Sequence, residues 1–238
     1  MEHEHTSEAI RARLAKGPRL SYLRDWIYGG IDGSVTTFAV ITGVAGAELA
    51  ATVIIILGVA NLIGDGFSMA ASNYLGTRTE RQERDALHAQ EGRHIDADPQ
   101  GEREEVRQIF ASKGFAGDDL ERAVALTTAD RERWIGFMLS EEFGLPQQLR
   151  SATKAALSTF SAFLICGAIP LLPFVLALPH PFALSMAMTP AVFFAVGSAR
   201  SRWLALSWWR AGAETLAVGS IAATLAYAAG VLIARAVT

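Results

Sequence analysis

Cysteine is nearly absent from this chain of 238 residues. Cys166 stands alone inside an apolar run, which excludes an intrachain disulfide and any thiolate cluster, and with them the zinc-ribbon and iron–sulfur classes. Charge is scarce too: 19% of the residues are charged against 51% hydrophobic, a balance that suits a membrane protein with a polar appendage rather than a soluble domain. The net charge of −3 says little, because the charge is so unevenly placed, and no nucleic-acid partner is expected. Residues 1–25 are polar and hold no apolar core ahead of a small-residue cleavage site, so the first apolar segment is expected to stay as a membrane helix. Internal repeats and low-complexity tracts are missing as well.

What is present is apolar length. A membrane helix needs about 20 mostly apolar residues, and five stretches qualify: 26–46, 49–76, 155–178, 183–199 and 204–234. Gly46-Ala-Glu48 leaves room only for a tight turn, and Leu178-Pro-His-Pro-Phe182 is a second one, because proline ends helices. Of the 21 Lys and Arg residues, 20 lie in the N-terminal tail, in 78–154 or in 200–210, with Arg235 the exception. The positive-inside rule then puts the N-terminus, the central segment and the 200–210 loop in the cytosol. Trp203, Trp208 and Trp209 mark an interface. The expected domains are a cytosolic tail (1–25), membrane helices one and two (26–77), a cytosolic helical domain (78–150) and membrane helices three to five (151–238).

The apolar stretch 26–76 has a polar break. It carries Asp32, then Asn61, Asp65 and Met69. An acid at bilayer depth costs about 3 kcal/mol even on lenient insertion scales. Asn61, Asp65 and Met69 are spaced four and four, so they project from one helical face. Carboxylate, amide oxygen and thioether together suit a transition-metal cation of intermediate softness. The alternatives are local: Asp32 snorkelling at a helix mouth, Asp65 pairing with an Arg or Ser on a neighbouring helix, Met69 packing. Arg210 and Glu214, also four apart, are expected to form an interfacial ion pair.

Residues 78–150 hold 16 of the 24 acidic residues and have helical periodicity. The second membrane helix is expected to run on to about His94 and break at Asp96-Ala-Asp-Pro99. A helix is expected over 100–113, with Val106, Ile109 and Phe110 inward, then a short one after Asp118. A last one starts near Thr128 or Asp130, carries Trp134, Phe137 and Met138, and ends by Gly144. Glu91 and His94, Glu102 and Glu105, and Met138 and Glu142 share helix faces in pairs. Such pairs can ligate one ion. They also read as a solvated face paired with Arg93, Arg103 and Arg107. His3 and His5 add weak metal-binding potential in the tail.

Several motifs then converge. Arg24-Asp-Trp-Ile-Tyr-Gly-Gly-Ile-Asp-Gly33 is followed by Asp65-Gly-Phe-Ser-Met-Ala70 and Tyr74-Leu75. Glu102-Arg-Glu-Glu-Val106, Trp134-Ile-Gly-Phe-Met138, Glu142-Phe-Gly-Leu145 and Gly167-Ala-Ile-Pro-Leu-Leu-Pro173 come next. In this order, across about 22–235, the chain resembles the vacuolar iron transporter family, which includes the yeast vacuolar iron and manganese carrier, and looks like its bacterial branch. The resemblance implies five membrane helices, a homodimer, a cytosolic metal-binding domain inserted between helices two and three, and export of Fe²⁺, often Mn²⁺, by proton exchange. It implies a place in a bacterial inner membrane. By position, Asp32 and Met69 match the family's pathway residues, and Glu91, Glu102, Glu105, Met138 and Glu142 its cytosolic ligands. Asn61 and His94 stand where plant-like members carry glutamates, and Leu139 replaces a second methionine.

The sequence therefore reads as an all-α membrane protein, not an enzyme. Its expected partners are divalent metal ions, protons, the bilayer and a second copy, and it is expected to bind no permanent cofactor. Metal would be captured at Glu91, His94, Glu102, Glu105, Met138 and Glu142 and passed to Asp32, Asn61, Asp65 and Met69. Asp65 is expected to supply the carboxylate that Asn61 lacks. Two rivals are a membrane-tethered metal sensor or buffer and a ferroxidase-like di-iron protein. The latter would need two Glu-x-x-His pairs on bundle helices, and only one, Glu91 with His94, lies outside the N-terminal tail.

Overall fold

In a computed structural model, residues 6–16, 20–146, 148–202 and 207–237 are described. They are helical throughout: α1 Ser7–Lys16, α2 Leu23–Gly46, α3 Ala51–Ala97, α4 Pro99–Ser112, α5 Gly117–Thr128, α6 Arg131–Glu141, α7 Ala152–Val175, α8 Pro181–Ala199 and α9 Trp208–Val237. No strand occurs among the described residues. The residues fall into two compact units, one of 1–20 with 76–150 and the other of 21–75 with 151–238.

In the larger unit, α3, α7, α8 and α9 are long and apolar enough to cross a membrane. The fifth expected span, α2, has 24 residues and so the length, yet it is not among them. Its deficit is chemical, since it carries Asp25, Asp32, Ser34, Thr36, Thr37 and Thr42. Protein covers much of that polarity. α2 packs on α7, α8 and α9, and Ser34, Thr37 and Thr42 are buried. The Ser34 hydroxyl donates to the Gly30 carbonyl at 2.7 Å and that of Thr36 to the Asp32 carbonyl at 2.9 Å, so each spends its proton on its own helix.

Apolar area alone does not hold such helices together in lipid, so close backbone approach has to contribute. A Cβ on Gly29 would strike the Thr159 carbonyl, one on Gly33 the Phe163 carbonyl, and one on Gly167 the Gly33 carbonyl. α2 and α7 therefore meet backbone to backbone. Above that seam, Ile41, Val44, Ile54, Leu62, Phe163, Leu171 and Phe174 form a continuous core. Gly33→Val should abolish assembly of this unit, because the branched side chain has no room and overpacking costs about 1–3 kcal/mol even in soluble cores. Detergent-solubilised variant eluting with the wild-type profile and yield would contradict this.

The smaller unit is built by capping. Asp98 accepts from the Gly101 N–H at 2.9 Å, with Pro99 at the first position of α4. Asp130 accepts from the Arg133 N–H at 2.8 Å at the start of α6. Gly114, at φ +92°, ends α4 with the Phe115 N–H on the Phe110 carbonyl at 3.2 Å and the two rings in edge contact. Ile95, Val106, Val124, Trp134, Ile135, Met138 and Leu139 fill the core.

Three expectations need correction. Asp118 does not precede the short helix as expected but lies in the first turn of α5, which begins at Gly117. Glu214 pairs with Arg200 at 3.4 Å rather than with Arg210, whose guanidinium lies 5.2 Å from the Trp209 ring centre. The tail contains a helix, α1, that its polar composition hid. His3, His5 and Trp203 lie outside the described residues.

Candidate metal sites

In the smaller unit, Glu91 and His94 sit near the end of α3 and Glu102 in the first turn of α4. The Asp98 cap and Pro99 turn the chain sharply enough to bring the two helix ends together. One ligand atom from each of the three lies within 4.8 Å of the others. His94 Nδ1 is 3.5 Å from Glu91 Oε1 and 3.6 Å from Glu102 Oε1. The carboxylates form the floor: Glu91 is 1% and Glu102 8% exposed, and the Oε2 atom of each is buried without a hydrogen-bond partner. A buried, unpartnered carboxylate oxygen is costly. A divalent cation would remove that cost. His94 is exposed and forms the open side.

Glu105 and Glu142 are exposed, and their charge reaches the floor. Burial first, then Glu105 and Glu91, push the Glu102 carboxyl up to about 7. Burial also raises Glu91 and Glu142, although His94 opposes it in both. The structure thus brings Glu91, His94 and Glu102 together with Glu105 and Glu142 in electrostatic range. Met138 is fully buried in the apolar core beside Leu139. It precedes Glu142 by one turn, and the Glu142 N–H donates to the Met138 carbonyl at 2.9 Å.

The spacing of acids did not reveal Arg131. Its guanidinium donates to the Gly92 carbonyl at 2.8 Å and to Asp96 Oδ2 at 2.9 Å, gripping the chain on both sides of His94. A Cβ at residue 92 would lie 2.8 Å from that guanidinium, so the grip uses a glycine. Arg131→Ala should weaken metal binding by about 10–100-fold, the usual effect of removing a group that orients ligands. Titration calorimetry of the full chain with Mn²⁺ checks this, and an unchanged affinity would overturn it.

In the larger unit, Asp32 is half-buried on α2, and the charge of Asp65 on α3 is felt there. Asn61 reaches α2 one turn beyond Asp32: its amide donates to Thr36 Oγ1 at 3.2 Å and to Thr37 Oγ1 at 3.4 Å. Met69 is partly buried against the apolar core. Asp65 is exposed in the single chain, about half a turn round α3 from the exposed Ile56, Ile63 and Phe67. Asp32 and Asp65 thus lie in electrostatic range of each other, and Asn61 bonds α3 to α2 beside them.

A further polar cluster went unread in the sequence. Asp25 is 3% exposed, and its Oδ1 accepts from Asn73 Nδ2 at 3.0 Å. Asn73 also donates to Thr159 Oγ1 at 2.7 Å, joining α2, α3 and α7. The signal was available: Asp25 precedes Asp32 by two helical turns, and Asn73 extends the four-residue ladder of Asn61, Asp65 and Met69.

The chain shares sequence with curated transporters. It is 27% identical over 224 residues to a protein named vacuolar iron transporter from Toxoplasma gondii, covering 89% of this chain and 74% of that one. It is 28% identical over 209 residues to vacuolar iron transporter 1 of Arabidopsis thaliana, covering 86% and 83%. It is 28% identical over 224 residues to the vacuolar iron transporter of Plasmodium berghei, covering 89% and 82%. These relatives are transporters rather than enzymes. The pattern of the VIT family matches residues 23–231, most of the described helices and all three clusters, and the chain belongs to that family.

Proposed function

We propose that this integral membrane protein exports divalent iron, and manganese with it, from the cytosol in exchange for protons. The observation that carries the reading is the Glu91–His94–Glu102 cluster, in which each carboxylate keeps one buried oxygen without a partner, on a chain that also holds Asp32 and Asp65 in its membrane helices. Oxygen and imidazole donors suit Fe²⁺, Mn²⁺ and Zn²⁺, and the lack of thiolate disfavours softer ions. The 78–150 segment captures metal on the cytosolic side, and the ion then passes to Asp32 and Asp65. There a proton displaces it and resets the carrier.

The same reading makes α2 the fifth span, shielded from lipid by α7, α8 and α9, with the N-terminus cytosolic. It also calls for a homodimer in a bacterial inner membrane. Asp65 supports the dimer, since an ionised carboxylate is not left facing hydrocarbon and a second copy against α3 would cover it. The printed names of the relatives support iron as the cargo.

The test is metal uptake into proteoliposomes, comparing Fe²⁺, Mn²⁺, Zn²⁺ and Ca²⁺, with Asp32→Ala as control. The expected result is flux of Fe²⁺ and Mn²⁺, little of Ca²⁺, and none in the variant. Metal binding without flux would instead favour a membrane-tethered buffer.

A further inference from the structure

A cavity of about 420 Å³ opens between α8 and α9 in the larger unit. None of Asp32, Asn61, Asp65 and Met69 lines it, so it lies apart from the ion site. One wall is Phe182, Met186 and Pro190, four residues apart along one face of α8. Ser220, Thr224 and Tyr227 of α9 form the other, over a floor of Phe38 and Phe193. From Phe182 to Pro190 the groove follows the helix axis for about 12 Å. One leaflet contributes about 15 Å to the hydrocarbon core. Phe182 is the second residue of α8, so the groove starts at a helix end and runs inward.

Two of its four hydroxyls are already engaged within their own helices. The Thr42 hydroxyl donates to the Phe38 carbonyl at 3.0 Å, and that of Thr224 to the Ser220 carbonyl at 2.8 Å. The lining offers an occupant mostly apolar surface and no charged side chain. Its rim is open: Phe182, Met186 and Tyr227 are 36%, 45% and 47% exposed. Both bounding helices are long and apolar enough to cross a membrane, so what lies against that open side is hydrocarbon. A void of this size lined by ring and thioether surface forfeits dispersion contacts unless something fills it.

We propose that the groove between α8 and α9 is a lipid site, holding one acyl chain of a phospholipid from the leaflet that meets the start of α8. An annular lipid slides over ridged helix surface, whereas this chain sits in a slot between two helices and exchanges more slowly.

The probe is a phosphatidylcholine with a diazirine midway along one acyl chain, reconstituted with the full chain in phosphatidylcholine–phosphatidylglycerol liposomes and irradiated. Adducts are mapped by mass spectrometry. The expected result is labelling of Phe182, Met186 and Tyr227 several-fold above the outward-facing Ile221 and Leu225. Ser220→Trp, which fills the slot, should remove the groove adducts and spare those at 221 and 225. Should that variant fail to fold, the wild-type contrast decides by itself. Equal labelling of groove and outward positions overturns the proposal. So does disulfide linkage of two copies through Met186→Cys, which would make the occupant a second chain.

Discussion

Replacing Asp65 by asparagine should reduce metal flux in proteoliposomes to that of empty vesicles while leaving the protein folded. Of Asp32, Asn61, Asp65 and Met69, only Asp32 and Asp65 carry charge. Asn61 offers an amide already engaged with Thr36 and Thr37. A dication leaving water needs compensating negative charge, and a single carboxylate leaves half of it unmatched. Asparagine has the same shape, and residue 65 is exposed on α3, so packing survives the exchange. Metal binding at Glu91 and Glu102, in the other unit, should be unaffected. Asn61→Glu in the Asp65→Asn background returns a carboxylate one turn earlier on the same helix face and should restore part of the flux. Full transport by Asp65→Asn would remove Asp65 from the pathway.

The second large effect concerns Glu102. Its carboxyl is raised to about 7 in the folded domain from an ordinary value of 4.5, chiefly by burial. A group shifted upward stabilises the fold while it is protonated. That contribution is complete below about 4.5 and is lost as pH rises through about 7. Without metal, amide protection factors in α4 and α6, taken relative to the base-catalysed intrinsic rate, should therefore rise as pH falls from 7.5 to 5. Glu102→Gln, which cannot ionise, should flatten this dependence and protect α4 and α6 more than wild type at pH 7.5. The same variant should lose most Mn²⁺ binding, and wild-type binding should release protons and weaken below pH 7. Parallel pH profiles for the two proteins would contradict this reading.

The helices were legible because their signals are local. Pro99 after Asp98, Asp130 and the glycines at 114 and 144 mark ends that the structure reproduces. The inward faces carrying Val106, Ile109 and Phe110, and Trp134, Phe137 and Met138, follow from helical period alone. The triad was partly legible: spacing paired Glu91 with His94, but joining Glu102 to them depends on how tightly the chain turns between α3 and α4. Arg131 was invisible because it acts on a carbonyl 39 residues earlier in the chain, and backbone acceptors leave no sequence pattern. Arg210 misled for a related reason. Four-residue spacing makes a pair with Glu214 possible, and Arg200 took that carboxylate from another element. The polarity of α2 was legible in the sequence, but how it is accommodated shows only once α7, α8 and α9 are seen to pack against that helix.

The most direct test of exchange transport records internal pH and internal Fe²⁺ together in proteoliposomes carrying the wild-type chain, with no other ion gradient imposed. The account predicts that Fe²⁺ entering the vesicles is accompanied by protons leaving, and that an inward-alkaline gradient slows metal entry while an inward-acid gradient drives it. Fe²⁺ flux that ignores the proton gradient and moves no protons would contradict it.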